Sequence, residues 1–326
     1  MSSAAPGLGD VQEREERVVE GGPDVVGRTP WQLFWERFRG DRVALIALGF
    51  IVAEVLAAIF APLIVKGFAH PPNAQYPSAL DPTFGTPSGP SKSFLFGVDP
   101  LGEDVFSRVL YGARVSLEVA LVATAVSVAI GVVLGMVAGY YRGFVDTAIS
   151  RFVDITLAFP VLLLALGIAS ACSLGGGCAK GLIKPGLTTV VVTIVVINWT
   201  YIGRIIRGQV LSIREKDFIE AARASGAPDR TILFREVLPN LVAPIVVYAT
   251  LVIPQNILLE AALSYLGVGI NPPQASWGQM IAQATPIFST AWWYFVFPGT
   301  ALVLTVLAFN LLGDGVRDAL DPRIAD

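Results

Sequence analysis

The sequence is poor in charge and in the side chains that hold metals or transfer groups. Only 15% of its 326 residues are charged, against 54% hydrophobic, and mean hydropathy is +0.64. A soluble chain of this length needs more charge to cover its surface, so lipid is the expected second solvent. One histidine, His70, and two cysteines leave almost no material for a zinc, haem or iron–sulfur centre, and no metal site is expected. A net charge of −3 argues against nucleic acid as a partner. A phosphate-binding Gly-x-x-x-x-Gly-Lys-Ser/Thr loop needs a lysine between glycine and a hydroxyl residue. None of Lys66, Lys92, Lys180, Lys184 and Lys216 is so placed, so the chain is not expected to bind ATP by that route. The lone histidine and the scattered carboxylates also leave no catalytic set for an intramembrane enzyme.

What the sequence has is long apolar runs. A helical span takes about 20 mostly apolar residues. Stretches near 43–65, 119–140, 152–171, 186–202, 241–267 and 291–312 qualify or nearly do, and none alternates like a barrel strand. The first run follows a charged tail and no small-residue cleavage site follows it, so it reads as a retained span rather than a removable signal peptide. Placing both ends in the cytoplasm puts 17 of the 23 basic residues on that side, as the excess of Lys and Arg in cytoplasmic loops demands. The expectation is an all-α, multi-pass protein with six transmembrane helices in a plasma membrane.

Residues 1–30 are rich in Gly, Glu and Arg and read as a disordered cytoplasmic tail. Trp31, Phe34, Trp35 and Phe38 then share one helical face, as in a helix lying in the membrane interface over 31–42. After the span 43–65, an external segment, 66–115, opens with Pro and Ser and ends in an amphipathic helix expected over Leu101–Arg114, with Asp99 as its start. Asp99, Glu103 and Asp104 suit capping better than cation binding. Residues 116–313 form a core that holds the remaining five spans, and 314–326 is a cytoplasmic tail. Gly131, Gly135 and Gly139 fall on one face of the second span, where they let another helix approach closely; a hinge is the alternative. Cys172 and Cys178 flank a short external loop in which a disulfide is feasible, with two free thiols or a metal pair as the alternatives. Trp277, Trp292, Trp293 and Tyr294 cluster where headgroup anchoring is expected.

The most informative segment is 217–239. Ala-rich sequence from Asp217 to Ser225 favours a helix, Gly226 can take the left-handed conformation that ends it, and Pro228 suits the first turn of a second helix. Two short helices at a sharp bend make a compact knob. Ala221, Ala222 and Ala224 keep one side small, Phe218 and Ile219 offer apolar anchor area, and Glu220 and Arg223 can pair with a partner's charges.

The pattern Glu220-Ala-Ala, then Gly226, then Leu238-Pro239 resembles the EAA loop of ABC importer permeases. Phe96-Gly-Val-Asp-Pro-Leu-Gly, Leu157-Ala-Phe-Pro160, Ser276-Trp-Gly278 and the run Asp314 to Arg323 narrow the resemblance to C-type dipeptide/oligopeptide permeases, over residues 31–323. Two positions depart from that pattern: Glu103 replaces a common arginine and Glu236 an isoleucine-like residue. The resemblance implies a type I importer permease fold whose loop is the coupling helix, with Phe218, Glu220, Ala221, Ala222, Arg223 and Gly226 docking an ATPase. It implies a heterodimer with a B-type permease, two ATP-binding subunits that carry ATP and Mg, and an external peptide-binding protein. Nickel and glycan-fragment permeases share these motifs and are the nearest alternatives.

A charge at mid-membrane costs roughly 3 kcal/mol on insertion scales, so polar groups there need water or a partner. Glu54, Asp154, Asn198, Gln255, Asn256, Glu260 and Asn310 are the candidates. Pro254 is expected to break its span beside Gln255 and Asn256, making Gln255, Asn256, Glu260 and Asn198 candidates to line a translocation path, with interhelical hydrogen bonding as the alternative. A secondary transporter is the rival class, but it predicts inverted repeats that are not visible and leaves the 217–239 loop without a role.

Overall fold

The structure is a computed structural model that describes residues 30–173 and 177–321; the tail expected to be disordered, through residue 29, lies outside the described residues, as does Arg323. Among the described residues there are helices and a few isolated bridges, and no strand. Five helices are long and apolar enough to cross a membrane: α2 (Arg42–Ile59), α4 (Val105–Tyr141), α7 (Leu187–Ile213), α9 (Asp229–Tyr265) and α11 (Trp292–Leu320). A sixth span is bent. Helices α5 (Gly143–Ala158) and α6 (Val161–Ser173) meet at 94°. The cause is local: Pro160 disfavours helical backbone at the residue before it, and Phe159 is extended at ψ 141°. The apolar run 152–171 therefore turns a corner midway. The shorter helices are α1 (Pro30–Gly40), α3 (Ala61–Phe68), α8 (Asp217–Ala224) and α10 (Trp277–Ala284).

The first apolar run also divides, since α2 stops at Ile59 and Pro62 starts α3. Asp41 caps α2, its Oδ1 accepting from the Val43 and Ala44 amides at 2.9 and 3.1 Å. On α1 the aromatic face splits. Phe38 is buried against Ala44, Val316 and Ala319, and Arg37 donates to the Asp321 carbonyl at 2.6 Å, while Trp31 and Trp35 stay exposed.

Helices α4 and α7 form the tightest seam. A Cβ on Gly131 would lie 2.8 Å from Ile202 Cβ, one on Gly135 2.6 Å from the Gly203 carbonyl, and one on Gly139 2.8 Å from Val210 Cβ. The glycine stripe is thus a packing surface, each step filled by an α7 side chain or backbone group. Helices α9 and α11 pack on α4, and α2 covers α11.

Helix α4 begins later than the sequence suggests. Val105 opens it and Asp104, not Asp99, is its cap, with Oδ1 accepting from the Phe106 amide at 2.9 Å. The expected helix over Leu101–Arg114 is instead continuous with the second span. Asp99 holds the turn before it, accepting from the Leu101 and Glu103 amides at 2.9 Å each, because the positive φ of Gly102 closes a tight loop there. Arg108 is buried between Asp99 and Glu103, so the unusual acid at 103 neutralises a cation on the same chain. Burial pushes the Glu103 carboxyl above its ordinary range despite the pull of Arg108. Asp104 Oδ2 also accepts from the His70 amide at 3.1 Å, tying the far end of α3 to α4.

The aromatic cluster corrects the anchoring expectation. Trp277, Trp293 and Tyr294 are buried, and only Trp292 is exposed. The Trp293 indole donates to the Val98 carbonyl and that of Trp277 to the Val109 carbonyl, each at 3.1 Å. Segment 69–104 covers Trp293 at Gly89, Gly97 and Val98, while Trp277 packs on α4 at Val109 and Gly112. Cys172 and Cys178 are joined in a disulfide near the end of α6.

Gly135→Ala is expected to lower the unfolding midpoint of the detergent-solubilised protein, because overpacking costs about 1–3 kcal/mol. Gly49→Ala, whose Cβ meets nothing within 4 Å, serves as the control and is expected to leave the midpoint unchanged. Equal midpoints for both variants contradict the seam.

Candidate functional site

The end of the bundle opposite segment 69–104 carries the loop 214–240. Helix α8 ends as the sequence predicts and for the expected reason: Gly226 sits at φ +74°. The Gly226 amide donates to the Arg223 carbonyl at 2.9 Å and the Ala227 amide to the Ala222 carbonyl at 3.1 Å, a Schellman closure. Pro228 and Asp229 then start α9, whose residues Ile232–Val237 form a π-helical turn. The wider turn directs Ile232, Leu233 and Val237 inward and leaves Phe234 exposed. Glu236 sits half-buried on this turn, and its carbonyl accepts from the Asn240 side chain at 2.7 Å.

One face of α8 belongs to the chain's own core. Ile219 is fully buried against Met136, Tyr140, Ile206 and Val210, and Ala222 and Ala227 pack on the same cluster. Ile219 is therefore not an outward anchor, because the helical period turns 219 and 222 to the bundle when 218 and 221 face away. Phe218, Glu220, Ala221 and Ala224 are exposed. Arg223, expected to pair with another protein, lies over the Tyr140 ring at 5.3 Å. The Tyr140 hydroxyl donates to Asp229 Oδ1 at 2.8 Å, and Arg214 donates to the Tyr140 carbonyl at 2.5 Å. This clamp fastens both arms of the bend to the end of α4. Sequence reading missed Tyr140 and Asp229, which are 89 positions apart and carry no shared local pattern.

The polar residues at membrane depth fall into separate sets. Asn198 donates to the Asn256 side-chain oxygen, and Asn256 donates to Thr124 Oγ1 at 2.8 Å, linking α7, α9 and α4. Glu260 accepts from Ser116 at 2.8 Å and from Ser264 at 2.7 Å, and Ser264 in turn accepts the Ile270 amide at 3.0 Å. Asn256 and Glu260 are wholly buried within the chain, while Gln255 points outward. The structure thus places Asn198 with Asn256, sets Glu260 apart among serines, and leaves Gln255 alone facing away. Pro254 does not break its helix: α9 runs through Pro244 and Pro254 to Tyr265. Glu54 accepts from Thr305 at 2.5 Å, Asp154 from Arg204 at 2.6 Å, and Asn310 is exposed.

Comparison with known proteins bears on both regions. Residues 131–326 match the family described as binding-protein-dependent transport system inner membrane component, and residues 29–84 match the N-terminal TM domain of oligopeptide transport permease C. The chain is 44% identical over 302 residues to the glutathione transport system permease protein GsiD of Salmonella paratyphi A, covering 93% of each chain. It is 43% identical, over the same shares, to the protein of that name from Escherichia coli O6:K15:H31. Among solved structures, the inward-facing MetNI methionine ABC transporter aligns with a TM-score of 0.53 at 22% identity, covering 65% of this chain and 96% of that one. A second crystal form of MetNI aligns with a TM-score of 0.54 at 21% identity, covering 66% and 96%.

The asparagine pair yields a direct test. A double-mutant cycle of Asn198→Ala and Asn256→Ala, read by thermal unfolding in detergent, is expected to give a coupling of about 0.6–1.7 kcal/mol, the range of intramembrane side-chain hydrogen bonds. Strict additivity contradicts the pairing.

Proposed function

The chain belongs to the family of binding-protein-dependent transport system inner membrane components, and from that premise we propose that it passes dipeptides or oligopeptides across the membrane as one of two permease subunits. It is a multi-pass permease of an ABC importer and is not itself catalytic; the energy for transport enters through ATP-binding subunits that dock on α8. The observation that carries this reading is the division of α8 into two faces. Ile219 and Ala222 are fixed to the bundle, while Phe218, Glu220 and Ala221 are presented outward by a helix that Arg223 clamps to Tyr140. A surface that must both grip a partner and move its own spans needs this combination of an exposed face and a rigid root.

Docking on α8 puts the loop 214–240 and both termini in the cytoplasm, in line with the excess of basic residues on that side, and puts segment 69–104 outside, where a binding protein delivers its cargo. In the reaction cycle, closure of the ATPases on ATP and Mg displaces α8, and α4 and α7 follow because the clamp and the glycine seam allow little slip. The spans then rock between inward-open and outward-open states. Relatives named for glutathione transport support a small peptide as cargo. The outward-facing Gln255 suits a path shared with a B-type permease, as an amide can serve any peptide backbone.

In proteoliposomes of the assembled transporter, Glu220→Lys and Gly226→Val are expected to lower ATP-driven peptide uptake at least tenfold while membrane insertion persists. The first reverses a charge on the exposed face, and the second forces a β-branched residue into left-handed backbone at about 1–2 kcal/mol. Undiminished uptake in both variants contradicts docking on α8, and uptake of nickel but not peptides contradicts the cargo.

A further inference from the structure

At the end of the bundle where segment 69–104 lies, a cavity of about 330 Å³ opens between α4, Pro72 and Asn73, the turn Pro273–Ala275 and the start of α7. That volume falls within the range of about 300–1,000 Å³ usual for small-molecule sites. Tyr111, Arg114 and Glu118 line it from α4 at positions i, i+3 and i+7, one face of the helix. Arg114 and Glu118 are both exposed, and among the described residues neither makes a hydrogen bond or ion pair, although they stand one turn apart. This contrasts with Arg108, two turns earlier, which is buried and shared by Asp99 and Glu103. Asn73 and Gln274 add two side-chain amides to the wall.

We infer that this cavity is an entry site for the two charged ends of a short zwitterionic peptide, Arg114 receiving the carboxylate and Glu118 the ammonium. The inference rests on the proposed function and names where its cargo first meets this chain. A guanidinium offers a planar, two-pronged match to a carboxylate, and a carboxylate accepts the hydrogens of an ammonium. Side chains four apart on a helix have Cβ atoms about 5–6 Å apart and can splay further. The charged ends of a di- or tripeptide lie roughly 5–9 Å apart, given about 3.8 Å per Cα step. Amides from Asn73 and Gln274 and the Tyr111 hydroxyl suit the peptide bonds between. Such a site reads the backbone and leaves the peptide's side chains unspecified.

The test is titration calorimetry on the full chain in lipid nanodiscs, using triglycine and its N-acetylated and C-amidated forms. Free triglycine is expected to bind, and blocking either end to weaken binding at least tenfold. Arg114→Gln should weaken free triglycine and abolish the penalty for amidation; Glu118→Gln should do the same for acetylation. The exchanged pair, Arg114→Glu with Glu118→Arg, should regain part of the lost affinity. Equal binding of free and blocked peptides, or no binding of triglycine at millimolar concentration, overturns the site. So does a loss of binding-protein capture by Arg114→Gln with triglycine binding intact, which makes the cavity a protein contact. These outcomes leave coupling to the ATPases untouched, whereas failure of the Glu220 and Gly226 variants to impair uptake removes the functional reading beneath the site.

Discussion

Three glycines let the backbone of α4 lie against α7 closer than any side chain would permit, and much of the rest of the chain is arranged around that contact. Helix α4 has 37 residues. At about 1.5 Å per residue it is ~55 Å long, well beyond a hydrocarbon core of about 30 Å. It therefore emerges at both ends, and each projecting end carries a polar assembly that lipid would not tolerate. At one end Arg108 is enclosed by Asp99 and Glu103 under the segment 69–104. At the other, Tyr140 holds Arg223 and Asp229, the two arms of the bend in the loop 214–240. A single rigid rod, keyed to its neighbour by small residues, thus joins the loop 214–240 to the opposite face. This gives the type I importer permease fold a mechanical axis in this chain.

Lipid as solvent explains how the intramembrane polar groups are used. Asn198, Asn256 and Thr124 satisfy one another across three helices, and Glu260 is held by two serines. Each would be costly facing hydrocarbon, and each instead ties α9 to the α4–α7 pair. Asn256, Thr124 and Glu260 are buried inside the subunit, and Asn198 is half-buried at its edge. The exposed faces of α9 and of the bent pair α5–α6 are left for lipid or another subunit.

The spans were legible because hydropathy over about 20 residues is a strong local signal, and the bend in the loop 214–240 because glycine at 226 and proline at 228 mark it in sequence. Pro160 was visible too, but hydropathy averages across a corner and cannot see that Phe159 is extended. Asp99 and Asp104 both fit a helix start by local rules; what chooses Asp104 is the tight turn at Gly102 and the contact with His70, 34 residues away. The buried state of Trp277 and Trp293 depends on distant parts of the chain, α4 for the first and Gly89 to Val98 for the second, and an amphipathic ring looks the same from sequence whether protein or headgroup covers it. Likewise Ile219 reads as an outward residue until the position of Tyr140 and its neighbours in the core is known. Local pattern showed where the elements are, and tertiary contact decided which way their side chains face.

In the proposed function the outward face of α8 meets an ATP-binding subunit. A photoreactive amino acid placed at Ala221 in the assembled transporter, with a second placement at Phe84 in the 69–104 segment, tests it most directly. Illumination in native membranes should cross-link position 221 to an ATP-binding subunit and position 84 to none. An ATP-binding subunit captured at position 84, with none at 221, would contradict the account.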